Sequence, residues 1–192
     1  MTRRRYIQIG AAIVAVALMA WGASRVLERM VSPVPQQSTA AAAGSAVTSV
    51  PHIIATLYYA NADGRSLAAI KREVPLADGV LAQGRQIIQS QLEAAPMPYV
   101  SVIPAGTTLR AFYVTDRGDA FVDLSPEVST AHPGGSTTEL LTVYALVNAV
   151  TTNLSSVQRV QILVGGKEAD TLAGHVDLRR PFERDTSLVK TP

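Results

Sequence analysis

The chain has 192 residues, with 17 Lys and Arg against 15 Asp and Glu, and no Cys. Without Cys there is no disulfide scaffold, thiolate metal site, thiol nucleophile or lipid-bearing cysteine. The net charge of +2 is made at the N-terminus: residues 1–30 hold five Arg and one Glu, while residues 31–192 hold 12 basic and 14 acidic residues. A folded part that is slightly acidic argues against nucleic-acid binding, which needs a basic face.

Arg3, Arg4 and Arg5 form a basic flank over residues 1–5, followed by an apolar run from Tyr6 to Ala23 that only Gln8 interrupts. As a helix, 18 residues span about 27 Å, near the roughly 30 Å of a bilayer core. Trp21 suits the interfacial aromatic belt, and the preceding positive cluster directs the following chain outward. Residues 6–23 are therefore expected to be a single-pass anchor in a bacterial cytoplasmic membrane, with the C-terminal domain extracytoplasmic or periplasmic. The alternative is a cleaved signal sequence, although Leu18-Met19-Ala20 is a poor cleavage site. Thr2-Arg3-Arg4-Arg5-Tyr6-Ile7 also resembles a twin-arginine export signal. Residues 24–52 form a linker, and its stretch 31–52, VSPVPQQSTAAAAGSAVTSVPH, offers no apolar face. Fully extended, 22 residues reach at most about 70 Å.

A domain is expected over residues 53–185, with a tail over 186–192. Ile53–Tyr59 is a strand, Asn61–Gly64 a turn, and Leu67–Val74 a second strand ended by Pro75. Residues 78–94 have helical spacing, with Asp78 as N-cap. Pro96 and Pro98 stop the helix. Leu109–Val114 and Ala120–Leu124 form a hairpin about Asp116–Asp119. Ser136 and Glu139 fit a capping box, ahead of an apolar stripe at Leu140, Val143, Tyr144, Val147, Val150 and Leu154. Val157–Val164 and Lys167–Leu172 then pair about Gly165-Gly166. The chain is ordered as an edge segment as far as Phe182 and frays beyond it. The order ββαββαββ predicts an α+β fold, an antiparallel or mixed sheet with two helices on one face.

The candidate sites resolve into structural roles. His52, His132 and His175 lie in linker or loops without a ligand-spaced partner, so no metal is expected. Asp116, Asp119 and Asp123 could suggest calcium, but hairpin turns favour Asp for its backbone bonds. The same reasoning covers the adhesion-like tripeptide Arg117-Gly118-Asp119. Ser136, His175 and Asp177 could be drawn as a triad, yet no nucleophile elbow accompanies them. Gly134-Gly135 precedes a helix without the Lys of a phosphate loop. Tyr99, Phe112, Tyr113 and Phe121 are expected in the core or half-buried in a sheet. No catalytic, cofactor-binding or metal-binding residue is assigned, and no cofactor is expected.

The second half carries a resemblance. Gly134–Leu141, Ala145–Asn148, Val157–Lys167 and Thr171–Phe182 resemble the GerMN domain family of sporulation and spore germination. Ala55–Tyr59, Val102–Thr107 and Ala120–Ser125 fit as well, so the resemblance covers roughly residues 53–184. It implies an α+β fold similar to ring-building domains, export to the cell envelope, and no catalytic motif to carry over. The reading is a non-enzymatic envelope protein, anchored by its N-terminal helix, whose domain contacts envelope proteins or copies of itself. The alternative is a peptidoglycan-binding or processing module, for which Asp116, Asp123 and Glu127 are the carboxylates to inspect.

Overall fold

A computed structural model of the chain describes residues 51–190. The anchor over 6–23 and almost all of the linker lie outside those residues. Among the described residues, no helix is long and apolar enough to cross a membrane.

The structure is a mixed α+β fold. Its elements run β1 (His52–Ala60), β2 (Leu67–Pro75), α1 (Gly79–Leu92), β3 (Leu109–Val114), β4 (Asp119–Leu124), α2 (Glu127–Thr130), α3 (Ser136–Asn153), β5 (Arg159–Val164), β6 (Lys167–Glu168) and β7 (Phe182–Glu183). The expected order holds, with the short α2 and β7 added. His52, expected in the linker, opens β1 instead.

The strands divide into two sheets rather than one. β1 and β2 form an antiparallel ribbon, with His52 opposite Pro75 and Ala60 opposite Leu67. The second sheet has the order β3-β4-β5-β6, and β7 also pairs with β5. Within it, β4 and β5 run parallel, because α2 and α3 carry the chain back to the same end between them. The expected long partner of β5 is reduced to Lys167–Glu168. Gly165 and Gly166 at that hairpin have φ of 61° and 81°, the left-handed pair that a two-residue hairpin turn requires.

The helices do not share one face of a single sheet. α3 contacts β1 of the ribbon and β5 and β7 of the larger sheet, while α1 packs on α3 and β3. Leu141, Val143, Leu146, Val147 and Val150 are all buried, so α3 presents more than one apolar stripe. Tyr59, Ile87, Ile88, Phe112, Ile162 and Leu178 complete this core around it. Residues 183–190, expected to fray, are tied to the fold. Leu67 N–H donates to Leu188 C=O and Lys190 N–H to Leu67 C=O, both at 2.8 Å, seating the C-terminal segment on β2.

Candidate functional site

The capping box expected at the start of α3 does not form. Gly135 occupies the N-cap position and no side chain caps the helix. Glu139 instead turns inward and is fully buried. Its Oε1 accepts the N–H groups of Leu172 and Ala173 at 2.8 and 3.0 Å, and its Oε2 accepts that of His175 at 2.9 Å. His175 Nδ1 lies 3.2 Å from the same Oε2. Burial pushes the Glu139 carboxyl up, but the backbone N–H groups of Ala173, Leu172, His175 and Val176 together outweigh it and hold it below the usual carboxylate range. One carboxylate thus holds the loop 172–176 against α3.

His132 stands beside this carboxylate. Gly134 N–H donates to its Nδ1 at 3.0 Å, and its Nε2 lies 3.1 Å from Thr142 Oγ1. The Thr142 hydroxyl is turned to the carbonyls of Val102 and Thr138, at 2.6 and 2.9 Å. Thr142 Oγ1 therefore accepts, and the imidazole is the neutral form with its proton on Nε2. Burial lowers the His132 pKa most, Glu139 raises it and His175 lowers it. The sequence reading kept His132 and His175 apart, whereas the fold gathers both around Glu139.

Thr142 connects this cluster to an open groove of about 600 Å³. The groove runs between the β1–β2 turn and the start of α3, and Val100, Val102, Ile103, Pro104, Pro133 and Leu141 form much of its lining. Asp63, Ser101 and Thr138 supply its polar margin. Val100 is 52% exposed. The lining is mainly apolar and concave, the form of surface that takes a side chain or an apolar ligand.

The other sequence candidates are scattered. Asp123 is buried, accepts Gly166 N–H at 2.7 Å and pairs with Arg110 at 3.2 Å, so it serves the β5–β6 turn. Asp119 pairs with Arg159 across the parallel strands at 2.7 Å, and Gly118 between Arg117 and Asp119 is buried with φ of 80°. A Cβ at Gly118 would stand 2.8 Å from Ser156 C=O, which ties the adhesion-like tripeptide into the fold. Glu127 is held below its ordinary value by hydrogen bonds from the Ser125 hydroxyl and its own N–H. Asp116 lies exposed in the hairpin turn. Ser136 is exposed at the start of α3, while Asp177 grips Arg179 with two bonds of 2.8 Å, so neither joins His175 in a triad. Tyr99, Phe112 and Phe121 are buried or half-buried, but Tyr113 is 56% exposed. Among the described residues, no three His, Asp or Glu side chains form a metal-holding group.

Glu139 was the organising residue that sequence reasoning missed. It lies four, seven and eleven residues before Val143, Leu146 and Val150, on the buried side of α3. A lone carboxylate at core spacing was the available signal.

The elements and their pairing define a small mixed α+β domain. The chain belongs to the Germane family, described as sporulation and spore germination, whose model matches residues 56–170. Its structure is similar to a candidate lipoprotein from Clostridium perfringens, at 24% identity and a TM-score of 0.51, covering 71% of this chain and 91% of that one. It is also similar to the tandem GerMN domains of the sporulation protein GerM from Bacillus subtilis, at 19% identity and a TM-score of 0.55, covering 70% of this chain and 46% of that one. The first GerMN domain of GerM alone matches at 19% identity and a TM-score of 0.51, covering 69% of this chain and 96% of that domain. At these identities the likenesses establish a shared fold. No curated protein sequence matches the chain.

Proposed function

We propose that this chain is a membrane-anchored, extracytoplasmic, non-enzymatic protein of the bacterial cell envelope, whose domain works by protein contact. The observation that carries the reading is the apolar groove along Val100–Pro104 and Pro133. Family membership in sporulation and germination supports it, as does the order of basic flank, apolar run and linker in the sequence. The N-terminal run would hold the domain outside the cytoplasmic membrane and the linker would give it reach.

The test is a photo-crosslinking residue at Val100 in the full-length chain, at native level in cells. Adducts with an extracytoplasmic protein, lost on Pro104→Arg and absent from a probe at exposed Lys167, support the reading. Equal labelling from both positions, or no protein adduct at Val100, overturns it.

A second reading, a peptidoglycan-binding module, draws on a separate polar pocket of about 390 Å³ lined by Thr152, Ser155, Gln158 and Arg184. Hydroxyl, amide and guanidinium groups suit a glycan or peptide carboxylate. Sedimentation of the full-length chain with purified peptidoglycan, reduced by Arg184→Ala, favours this reading. No sedimentation removes it.

A further inference from the structure

One chain of hydrogen bonds joins two walls of the groove, and His132 is its titratable member. On one wall, Pro133 sits between His132 and Gly134, and Gly134 N–H closes a turn on His132 Nδ1 at 3.0 Å. His132 N–H donates to Ser129 C=O at 3.1 Å, which fixes the turn to α2. The ring's Nε2–H reaches Thr142 Oγ1 on α3 at 3.1 Å. The Thr142 hydroxyl in turn reaches Val102 C=O, on the other wall, at 2.6 Å. Pro133 is exposed, so its place on the wall depends on the turn that brackets it.

This arrangement accommodates only the neutral ring. A second proton would go to Nδ1 and meet Gly134 N–H, donor against donor. Among the described residues, Glu139 on α3 is the carboxylate that acts on His132, and its oxygens are taken. Oε1 accepts from Leu172 and Ala173, and Oε2 faces the backbone N–H and ring Nδ1 of His175. The other neighbours offer no relief. The 100–105 segment carries no titratable residue, Glu127 on α2 is bonded to the Ser125 hydroxyl, and Asp63 stands on the far margin of the groove. A charge on His175, in the 172–176 loop, would repel one on His132.

We infer that His132 is an acid-released latch on the groove: a proton at Nδ1 opens the 132–134 turn, Pro133 leaves its wall, and the groove gives up its partner. A released ring takes the proton with the ordinary pKa near 6.5, while the latched ring resists it. Each pH unit below about 6.5 therefore moves the balance toward release by up to about tenfold. The opening is local, because the bonds of Thr142 to Val102 and Thr138 do not involve the ring. This is a regulation of the groove and rests on the protein-contact reading, although the latch itself is observable without a partner.

The test uses the full-length chain in detergent micelles, from about pH 7.5 to about pH 5. Nitrogen NMR of the histidine rings is expected to find His132 neutral at the upper end, with its proton on Nε2. Site-resolved hydrogen exchange at Gly134, corrected for the intrinsic pH dependence of exchange, is expected to lose protection by about three- to tenfold per pH unit below about 6.5. Core amides of Leu57 and Ile162 are expected to keep theirs. His132→Asn puts a non-titrating acceptor oxygen near the place of Nδ1, and its Gly134 protection is expected to stay flat. The wild-type series stands by itself if that variant is destabilised. A proton on Nδ1 at neutral pH, flat Gly134 protection in the wild type, the same fall in a folded His132→Asn, or loss at Gly134 only together with the core amides overturns the latch. Crosslinking from Val100 in cells, repeated at external pH of about 7.5 and about 5.5, reads the consequence. Adducts are expected to fall about fivefold or more in acid in the wild type and to persist in His132→Asn. Adducts that persist in the wild type, or fall equally in both, overturn acid control of the groove. Absence of Val100 adducts at neutral pH removes the protein-contact reading, and the Gly134 measurement still decides the latch.

Discussion

The side-chain amide of Gln91 closes a ring on the backbone of Tyr58. Tyr58 N–H donates to Gln91 Oε1 at 2.9 Å, and Gln91 Nε2 donates to Tyr58 C=O at 2.6 Å. The amide stands where the peptide group of a neighbouring strand would stand, and Gln91 is 1% exposed. Asn153 repeats the arrangement at Thr56 from the end of α3. Two helices thus close the strand edge at Thr56 and Tyr58 with side chains alone, which removes that stretch as a template for further pairing.

Replacing Gln91 by Leu leaves a buried N–H and C=O of Tyr58 without partners. Each such group costs about 1–3 kcal/mol. Gln91→Leu is therefore expected to destabilise by about 2–5 kcal/mol in urea unfolding, and Gln91→Glu also to destabilise, because a carboxylate faces the Tyr58 carbonyl. Wild-type stability in Gln91→Leu would refute the edge-closing role.

Glu139→Gln tests the buried carboxylate. The amide retains one acceptor oxygen and turns donors toward a ring of backbone donors. Loss of charge-assisted bonds and an unpartnered N–H give an expected cost of about 3 kcal/mol. Amides of Leu172, Ala173 and His175 are expected to lose hydrogen-exchange protection first. Unchanged protection there would show that the 172–176 loop holds its place without Glu139.

The same cluster predicts acid sensitivity in two windows. Burial lowers the His132 pKa, so between that value and the ordinary one near 6.5 the unfolded chain binds more protons than the folded chain. Stability is then fully present above about pH 6.5 and is lost as pH falls through the folded value. A proton on Nδ1 would also face Gly134 N–H. The Glu139 carboxyl is likewise lowered, so its contribution is present above about pH 4.3 and is lost below that as pH falls through its folded value. His132→Asn is expected to flatten the Tm profile between pH 7 and 5 and to leave the lower window in place. A profile identical to wild type would exclude His132 as the origin of the upper window.

Gly84→Ala reverses the usual helix rule. In an ordinary helix interior the change stabilises by about 1 kcal/mol. Here a Cβ would stand 2.6 Å from Cζ and 2.8 Å from Cδ1 of Phe112, a fully buried ring on β3. Overpacking costs about 1–3 kcal/mol, so Tm is expected to fall by several degrees, and Phe112→Leu added to Gly84→Ala should cost less than the two single changes summed. A rise in Tm with Gly84→Ala would mean that α1 shifts freely on β3.

The sequence alone determined the longer local elements of residues 51–190 and their order, because those rest on neighbours in the chain, while the short α2 and β7 and the brevity of β6 were not legible in it. The β-branched and aromatic content of Ile53–Tyr59, the prolines after α1, the paired glycines at 165–166 and the apolar spacing of α3 each specify a strand, a stop, a turn or a helix over short distances. Only the tertiary structure decided how those elements meet. Two sheets replaced one because α3 is apolar around more of its circumference than one stripe suggests and requires cover on more than one side. Ser136 and Glu139 had the spacing of a local cap, yet the donors that Glu139 satisfies lie 33 to 36 residues further along. Gln91 and Asn153 read as ordinary polar residues near helix ends, and their use against β1 spans 33 and 97 residues. A buried carboxylate or amide must find partners wherever the fold supplies them. Short-range patterns hold no record of which distant backbone groups those will be.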